Sequence, residues 1–398
     1  MDVEMISPKV PNGAPKINNL VESNHNVLQR LKYLLGLQLF VGVNRLYLFY
    51  DDKLKIFLGC LYTVIVTILI IFVMLGSDMT SATYLIFRNT LIVEFALLSI
   101  NSMLLYKKTL KKFFEKIDSF DSILNISNHP LVSGFFSWYL FIFFCLFTIF
   151  LMLEIVYLKT VERFSGDTDI NYSYQLVMYF AFLTHDTEII FFCVLLVMVM
   201  KRVKVLKGHV GKLYLKRKKA GDQLEGLSCN ANLDVTQLHD AYDLLHTCSE
   251  KLNSAMSFPM IVIFTACGVS SIMLLKNVFR VVQLSDQVND FVIEALFLYT
   301  IGHCMKFTLL VIMPCHFSNI TTTQVSTIRT MLHDAINTKT LVKYERRKLK
   351  AFFQLTRDSE FAYELWGVIR MNMSLPLNYC SLCVTYLIIV VQFSRFID

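Results

Sequence analysis

Residues 55–75 read KIFLGCLYTVIVTILIIFVML. After Lys55 the stretch has no charged side chain, and at about 20 residues it matches the helix length that crosses a hydrocarbon core of roughly 30 Å. Backbone amides in lipid must be paired within their own segment, so such a stretch reads as a helix. Similar blocks recur in both directions along the chain. Spans are expected at 55–75, 83–105, 134–158, 176–200, 257–281, 292–316 and 374–394. The composition agrees. Of 398 residues 55% are hydrophobic, 33 are Phe and only 14 are Gly, whereas soluble domains are roughly 45–50% apolar. Mean hydropathy is +0.52. The expected fold is an all-α membrane protein with seven transmembrane helices and no separate soluble domain. The first thirty residues are polar, include Pro8, Pro11, Gly13 and Pro15, and lack the apolar run of a cleavable signal peptide.

Lys and Arg set the orientation. The segment up to Lys55 holds 7, the 106–133 connection 5, the 201–254 connection 10 and the 317–373 connection 9. The alternate connections together hold 4: Lys159, Arg163, Arg280 and Arg395. Basic segments stay in the cytosol. The N-terminus is therefore expected inside and the C-terminus outside. The chain divides into a cytosolic N-terminal segment 1–54, helices one to six with a long inner loop at 201–254 (55–316), a cytosolic segment 317–373 and a last helix 374–398. This inversion argues against a G-protein-coupled receptor. Scarce Gly and the lack of an internal repeat argue against a secondary transporter. The net charge of +7 is accounted for by the inner loops, so no nucleic-acid partner is expected.

The inner connections have helical periodicity. Leu238, Tyr242, Leu245, Cys248 and Leu252 recur at three-to-four spacing, and Ile320, Val325, Ile328, Leu332 and Ile336 continue span six inward. Leu341, Tyr344, Phe352, Phe353, Phe361, Leu365 and Trp366 precede span seven. Apolar stripes of this kind need a partner. A lone helix would lie on the inner leaflet; three together favour a cytosolic bundle that anchors several subunits.

Ionisable groups inside spans are costly and mark functional candidates. Span four carries His185, Asp186 and Glu188, with His185 and Glu188 on one face. Span six carries Tyr299, His303 and Lys306, span two Arg88 and Glu94, and span three Glu154 and Tyr157. Most lie in the outer half. They are read as a ligand pocket open to the outside, lined by spans two to six and formed by Arg88, Glu154, Tyr157, His185, Asp186, Glu188, Tyr299, His303 and Lys306. The competing reading is ion pairing within the bundle, for instance Asp186 or Glu188 with Lys306. No catalytic or nucleotide-binding motif is present, and neither an enzyme nor a cofactor is expected. A zinc site from His185, Asp186 and His303 lacks diagnostic spacing, and no metal site is expected. The scattered cysteines read as small buried hydrophobes.

In the last span Asn378, Ser381, Thr385, Ile389 and Gln392 fall on one stripe, with only Leu, Ile, Val, Cys and Tyr around them. Such a stripe is commonly helix–helix glue. It is also what several copies around a symmetry axis need to enclose a pore. Thr385-Tyr386, five apolar residues and Gln392-Phe393 resemble the TYhhhhhQF signature of insect gustatory receptors, and Gly367 and Asn372 sit where that family tends to have Gly and Asp or Asn. The resemblance implies a tastant-gated non-selective cation channel in the plasma membrane. It also implies a homotetramer in lipid, with span seven lining the pore and one outer-half pocket for a small-molecule tastant per subunit. Gln392 and Phe393 would stand at the gate, with Thr385, Ile388 and Ile389 along the pore wall. A bitter plant compound is the expected tastant. The alternative is a receptor subunit that conducts only with a different co-subunit.

Overall fold

In the computed structural model the apolar blocks are helices, and three of them run on well past the length a membrane requires. The structure describes residues 31–50, 52–76, 82–124, 172–214, 234–283, 290–338 and 342–397, with single positions at 126, 145, 149, 152 and 153. The expected third span, 134–158, lies outside the described residues apart from four of those single positions, and Glu154 and Tyr157 lie there too.

A short apolar helix α1 (Leu31–Phe40) buries Leu31, Leu34 and Leu35 in the core. After a single 3-10 turn at Leu46–Leu48, α2 (Lys53–Leu75) starts on an Asp52 cap whose carboxylate accepts from Leu54 N–H at 3.0 Å. Only 17% of its apolar window is buried: Ile70 and Met74 enter the core, while Phe57, Leu61, Ile65, Ile68 and Phe72 face outward. Next comes α3 (Ala82–Leu104). Tyr106, in the left-handed region at φ +56°, turns the chain sharply into α4 (Lys107–Ile123). This amphipathic helix buries Leu110, Phe113, Phe114, Ile117 and Phe120.

The long helices are α5 (Tyr172–Tyr214), α6 (Val235–Gln283) and α7 (Asp290–Thr338). At 1.5 Å per residue they extend about 65–75 Å, more than twice a hydrocarbon core. Then come α8 (Lys343–Asp358), a two-residue hairpin of β1 (Glu364–Leu365) and β2 (Ile369–Arg370), and α9 (Ser374–Ile397). Trp366 and Gly367, at φ +51° and +69°, form the hairpin turn, and Val368 N–H donates to Leu365 C=O at 3.1 Å. The positive φ at 367 is a conformation that glycine adopts without steric cost, which explains a glycine there.

Five helices are long and apolar enough to cross a membrane among the described residues: α2, α3, the later part of α6, the earlier part of α7, and α9. The expected fourth span lies in α5, which differs from these five in being enclosed. From Val177 to Val199 almost every side chain is buried or partly buried, and α5 packs most heavily against α7.

The amphipathic inner segments pack on one another within the chain. Leu238, Tyr242, Leu245, Cys248 and Leu252 of α6 are fully buried, and Val325, Ile328 and Leu332 of α7 are buried as well. Phe352 of α8 and the following Phe361 close on Tyr242, with ring centroids 5.9 and 5.4 Å away, while the Tyr242 hydroxyl donates to Ser359 C=O at 2.7 Å. Two expected members of the stripe face outward: Tyr344 and Trp366 are 66% and 63% exposed. Arg202 at the inner end of α5 donates to Asp121 of α4, with Nε at 2.8 Å from Oδ1 and a second bond from Nη2 to Oδ2.

Candidate functional site

Thr184, His185, Asp186, Thr187 and Glu188 sit in the middle of α5, each 1% exposed or less. Successive helical side chains point about 100° apart, so consecutive charged residues must find partners on different neighbours. They do. His185 Nδ1 lies 2.5 Å from Glu94 Oε1 of α3, and His185 Nε2 lies 3.1 Å from Cys267 Sγ of α6. Asp186 Oδ2 lies 2.5 Å from Lys306 Nζ of α7. Glu188 accepts from Arg45, whose Nη1 is 2.8 Å from Oε2 and whose Nη2 bonds Oε1. Gln38 joins this pair, donating to Glu188 at 3.2 Å and accepting from Arg45 at 2.7 Å. One layer of charge thus ties α5 to α3, α6, α7 and the N-terminal segment. Each pairing offsets the penalty of removing a charge from water.

The sequence left Lys306 with two possible partners; Asp186 is the one it takes. His185 and Glu188, expected to work together on one face, diverge to Glu94 and Arg45. Arg45, Gln38 and Cys267 were not singled out. The signal for the first two was there: α1 is apolar but, at ten residues, too short to span, which fits a segment buried against the bundle. For Cys267 the sequence carries no comparable sign.

On the side of this layer expected to face outward lies a band of rings. Tyr299 and His303 are 4.5 Å apart between centroids, and His303 is 5.9 Å from both Phe182 and Phe307. Phe87 is 6.1 Å from Phe182, and Lys306 Nζ lies 5.6 Å over the Phe182 ring. Arg88, Tyr299, His303 and Lys306 are all buried, each 8% exposed or less. The structure therefore brings His185, Asp186, Glu188, Tyr299, His303 and Lys306 into one buried region, and Arg88 is buried on α3 next to Phe87, which meets the Phe182 ring. Among the described residues no group of three or more His, Cys, Asp or Glu side chains is arranged to hold a metal ion.

α9 is the opposite of α5. Its apolar window is only 11% buried. One edge docks on α6, where the Tyr379 hydroxyl donates to Phe264 C=O at 2.9 Å. A Cβ at Gly268 would lie 3.2 Å from the Tyr379 oxygen and 3.7 Å from Cys383 Sγ, so Gly268 is where the two helices close. A second, smaller contact is with α7, and the remaining surface is open. Asn378, Ser381, Thr385, Ile388, Ile389 and Gln392 are all exposed on the single chain. Phe393 is helical by its backbone; its side chain lies outside the described residues. Asn372 caps this helix, its Oδ1 accepting from Ser374 N–H at 3.2 Å.

A buried charged core, long helices running out of the membrane and a sparsely packed last helix define a multi-pass membrane protein. Residues 31–395 match the model of the 7tm Chemosensory receptor family, and the chain belongs to that family. Two solved structures share the fold. The insect olfactory receptor OR5 from Machilis hrabei in complex with eugenol superposes with a TM-score of 0.64 at 13% identity, covering 93% of this chain and 99% of that one. A second structure of the insect olfactory receptor OR5 from Machilis hrabei gives 0.60 at 12% identity over the same shares. Among curated protein sequences none matches.

Proposed function

We propose that this chain is a subunit of a tastant-gated, non-selective cation channel of the gustatory type, acting as a homotetramer in the plasma membrane. The observation that carries the reading is the open, charge-free stripe of α9: Asn378, Ser381, Thr385, Ile389 and Gln392 all face away from their own chain. A helix that leaves neutral polar groups unpacked in a membrane is completed by copies of itself around an aqueous axis. Neutral dipoles along such a pore suit weak discrimination among cations. Thr385, Ile388 and Ile389 line the pore, and Gln392 and Phe393 form its outer gate. The cytosolic bundle of α4, α8 and the inner halves of α5 to α7 anchors the subunits.

The ligand pocket lies in the outer half, against the rings of Phe182, Tyr299 and His303 beside Arg88. The ion-paired Asp186, Glu188 and Lys306, with His185 hydrogen-bonded to Glu94, form its floor, and Glu154 and Tyr157 are assigned to the same site from their sequence position in span three. The olfactory receptor of the same fold binds eugenol, a small aromatic molecule, and a ring-lined pocket suits a ligand of that kind. A bitter plant compound follows from the resemblance of the TYLIIVVQF stretch. The test is a ligand panel on cells expressing this chain alone, with whole-cell current recorded. Ligand-evoked cation current without any added subunit is expected. No current from any ligand at normal surface levels, restored by a second receptor subunit, would replace the homotetramer with a mixed assembly.

A further inference from the structure

We propose that Cys267 is a covalent sensing site for small apolar electrophiles of the α,β-unsaturated carbonyl class, with His185 as its base and Glu94 as the residue that positions the base. The three side chains form a chain of contacts: Cys267 Sγ to His185 Nε2 at 3.1 Å, and His185 Nδ1 to Glu94 Oε1 at 2.5 Å. With Glu94 a carboxylate and His185 neutral, Nδ1 carries the imidazole proton and Nε2 presents its lone pair to the thiol. That is the arrangement of a nucleophile, its base and the group that orients the base. Filling space requires none of it. Cys248, equally buried, has only the Phe113 carbonyl at 4.0 Å, and among the described residues no other cysteine has a histidine nitrogen at its sulfur.

The step balances without any oxidant or reductant. The thiol proton moves to His185 Nε2 as sulfur attacks the β-carbon. A C–S bond forms, the C=C π bond breaks, and its electron pair passes to the carbonyl as an enolate. His185 then returns the proton to the α-carbon. Glu94 holds the Nδ1 proton throughout and stabilises the transient imidazolium. An apolar electrophile partitions into the bilayer at this depth; Cys267 is 1% exposed, so the reaction also requires a transient opening between the helices around it.

The position gives the adduct an effect. Phe264, Cys267 and Gly268 share one face of α6, and that face is closed by Tyr379 and Cys383 of α9. An adduct on Cys267 enlarges a side chain where α9 docks. This last step, from adduct to current, rests on α9 being the gate; the adduct itself does not.

The experiment is site-resolved alkylation of the purified full-length receptor in nanodiscs with N-ethylmaleimide, followed by quenching, digestion and mass spectrometry. Cys193 is the internal reference, being as buried in the same bundle as Cys267. Cys267 is expected to react about a hundredfold faster than Cys193, the low end of general-base assistance. His185→Gln should remove most of that advantage while Cys193 and the half-buried Cys383 keep their rates. Equal rates for Cys267 and Cys193 in the folded wild-type receptor overturn the proposal, and this comparison needs no variant to fold. An unchanged Cys267 rate in a folded His185→Gln receptor overturns the role of His185. In cells, maleimide-evoked current should vanish in Cys267→Ser while tastant-evoked current persists. Labelling of Cys267 with no current upholds the site and overturns its coupling to α9.

Discussion

Lys306 Nζ and Asp186 Oδ2 are 2.5 Å apart in the middle of the helix bundle, with the aspartate side chain 1% exposed and the lysine side chain 10%. Removing one partner leaves a charge buried without its counter-ion, which costs about 3–5 kcal/mol, whereas removing both is often close to neutral. Asp186→Asn and Lys306→Met are each expected to abolish surface expression or sharply lower the detergent melting temperature, and the double variant to recover. A double-mutant cycle on thermal stability checks it. Additive losses would mean that the two residues are not coupled.

The Gly268–Tyr379 contact admits a rescue experiment. A methyl at 268 would come within 3.2 Å of the Tyr379 oxygen, so one of the helices must shift by a few tenths of an ångström. Gly268→Ala is expected to move the half-activating ligand concentration several-fold at normal surface levels, a change of about 1 kcal/mol. Adding Tyr379→Phe takes away the offending oxygen and should bring the response back towards wild type. Dose–response curves of the two variants decide the matter.

Gln392 and Phe393 close the helix that leaves its polar stripe open. Gln392→Ala is expected to raise ligand-free current or shift the reversal potential, and Phe393→Ala to leak, because a constriction of apolar side chains shuts by dewetting. Reversal potentials recorded alongside surface labelling separate this from a role in assembly. Loss of surface protein in both variants would point to helix packing; normal gating and selectivity in both, at normal surface levels, would remove these residues from the gate.

Asp118 of α4 lies outside the membrane spans and gives a pH test. Burial, and then the neighbouring Asp121, push its carboxyl up to about 7, although Arg202 pulls it down; Glu115 adds to the rise. The folded state therefore holds this proton more tightly than the unfolded chain. Its stabilising contribution is complete below the ordinary carboxylate range and is lost as pH rises through about 7. At 1.36 kcal/mol per pH unit the ceiling on that contribution is about 4 kcal/mol. Asp118→Asn should flatten the dependence of melting temperature on pH between about 4 and 7 and raise the melting temperature at pH 8. An unchanged profile would show that Asp118 ionises as an exposed carboxylate does.

The membrane helices were legible because length and hydropathy are local properties, as in KIFLGCLYTVIVTILIIFVML. The buried stripe from Leu238 to Leu252 was legible for the same reason, since helical periodicity needs no knowledge of neighbours. Asp186, His185 and Lys306 could be picked out as costly groups in lipid. Their partners could not, because pairing is decided by which helices end up adjacent. Cys267 looked like a small hydrophobe until folding brought His185, 82 residues away in the chain, to its sulfur. Arg45 was read as part of a cytosolic tail; the short apolar α1 beside it was a sign of burial against the bundle, but not of Glu188 as the partner.

The bareness of α9 has a consequence for the life of the protein before it reaches the cell surface. If the proposed assembly holds, a lone subunit shows Asn378, Ser381, Thr385 and Gln392 to lipid, and only the assembled channel turns them to a pore. Polar groups facing lipid are costly, so on that reading the unassembled subunit is the less stable species. Surface abundance should track the supply of partners rather than the rate of synthesis, and a variant that folds but cannot assemble should be degraded early instead of accumulating as silent receptor.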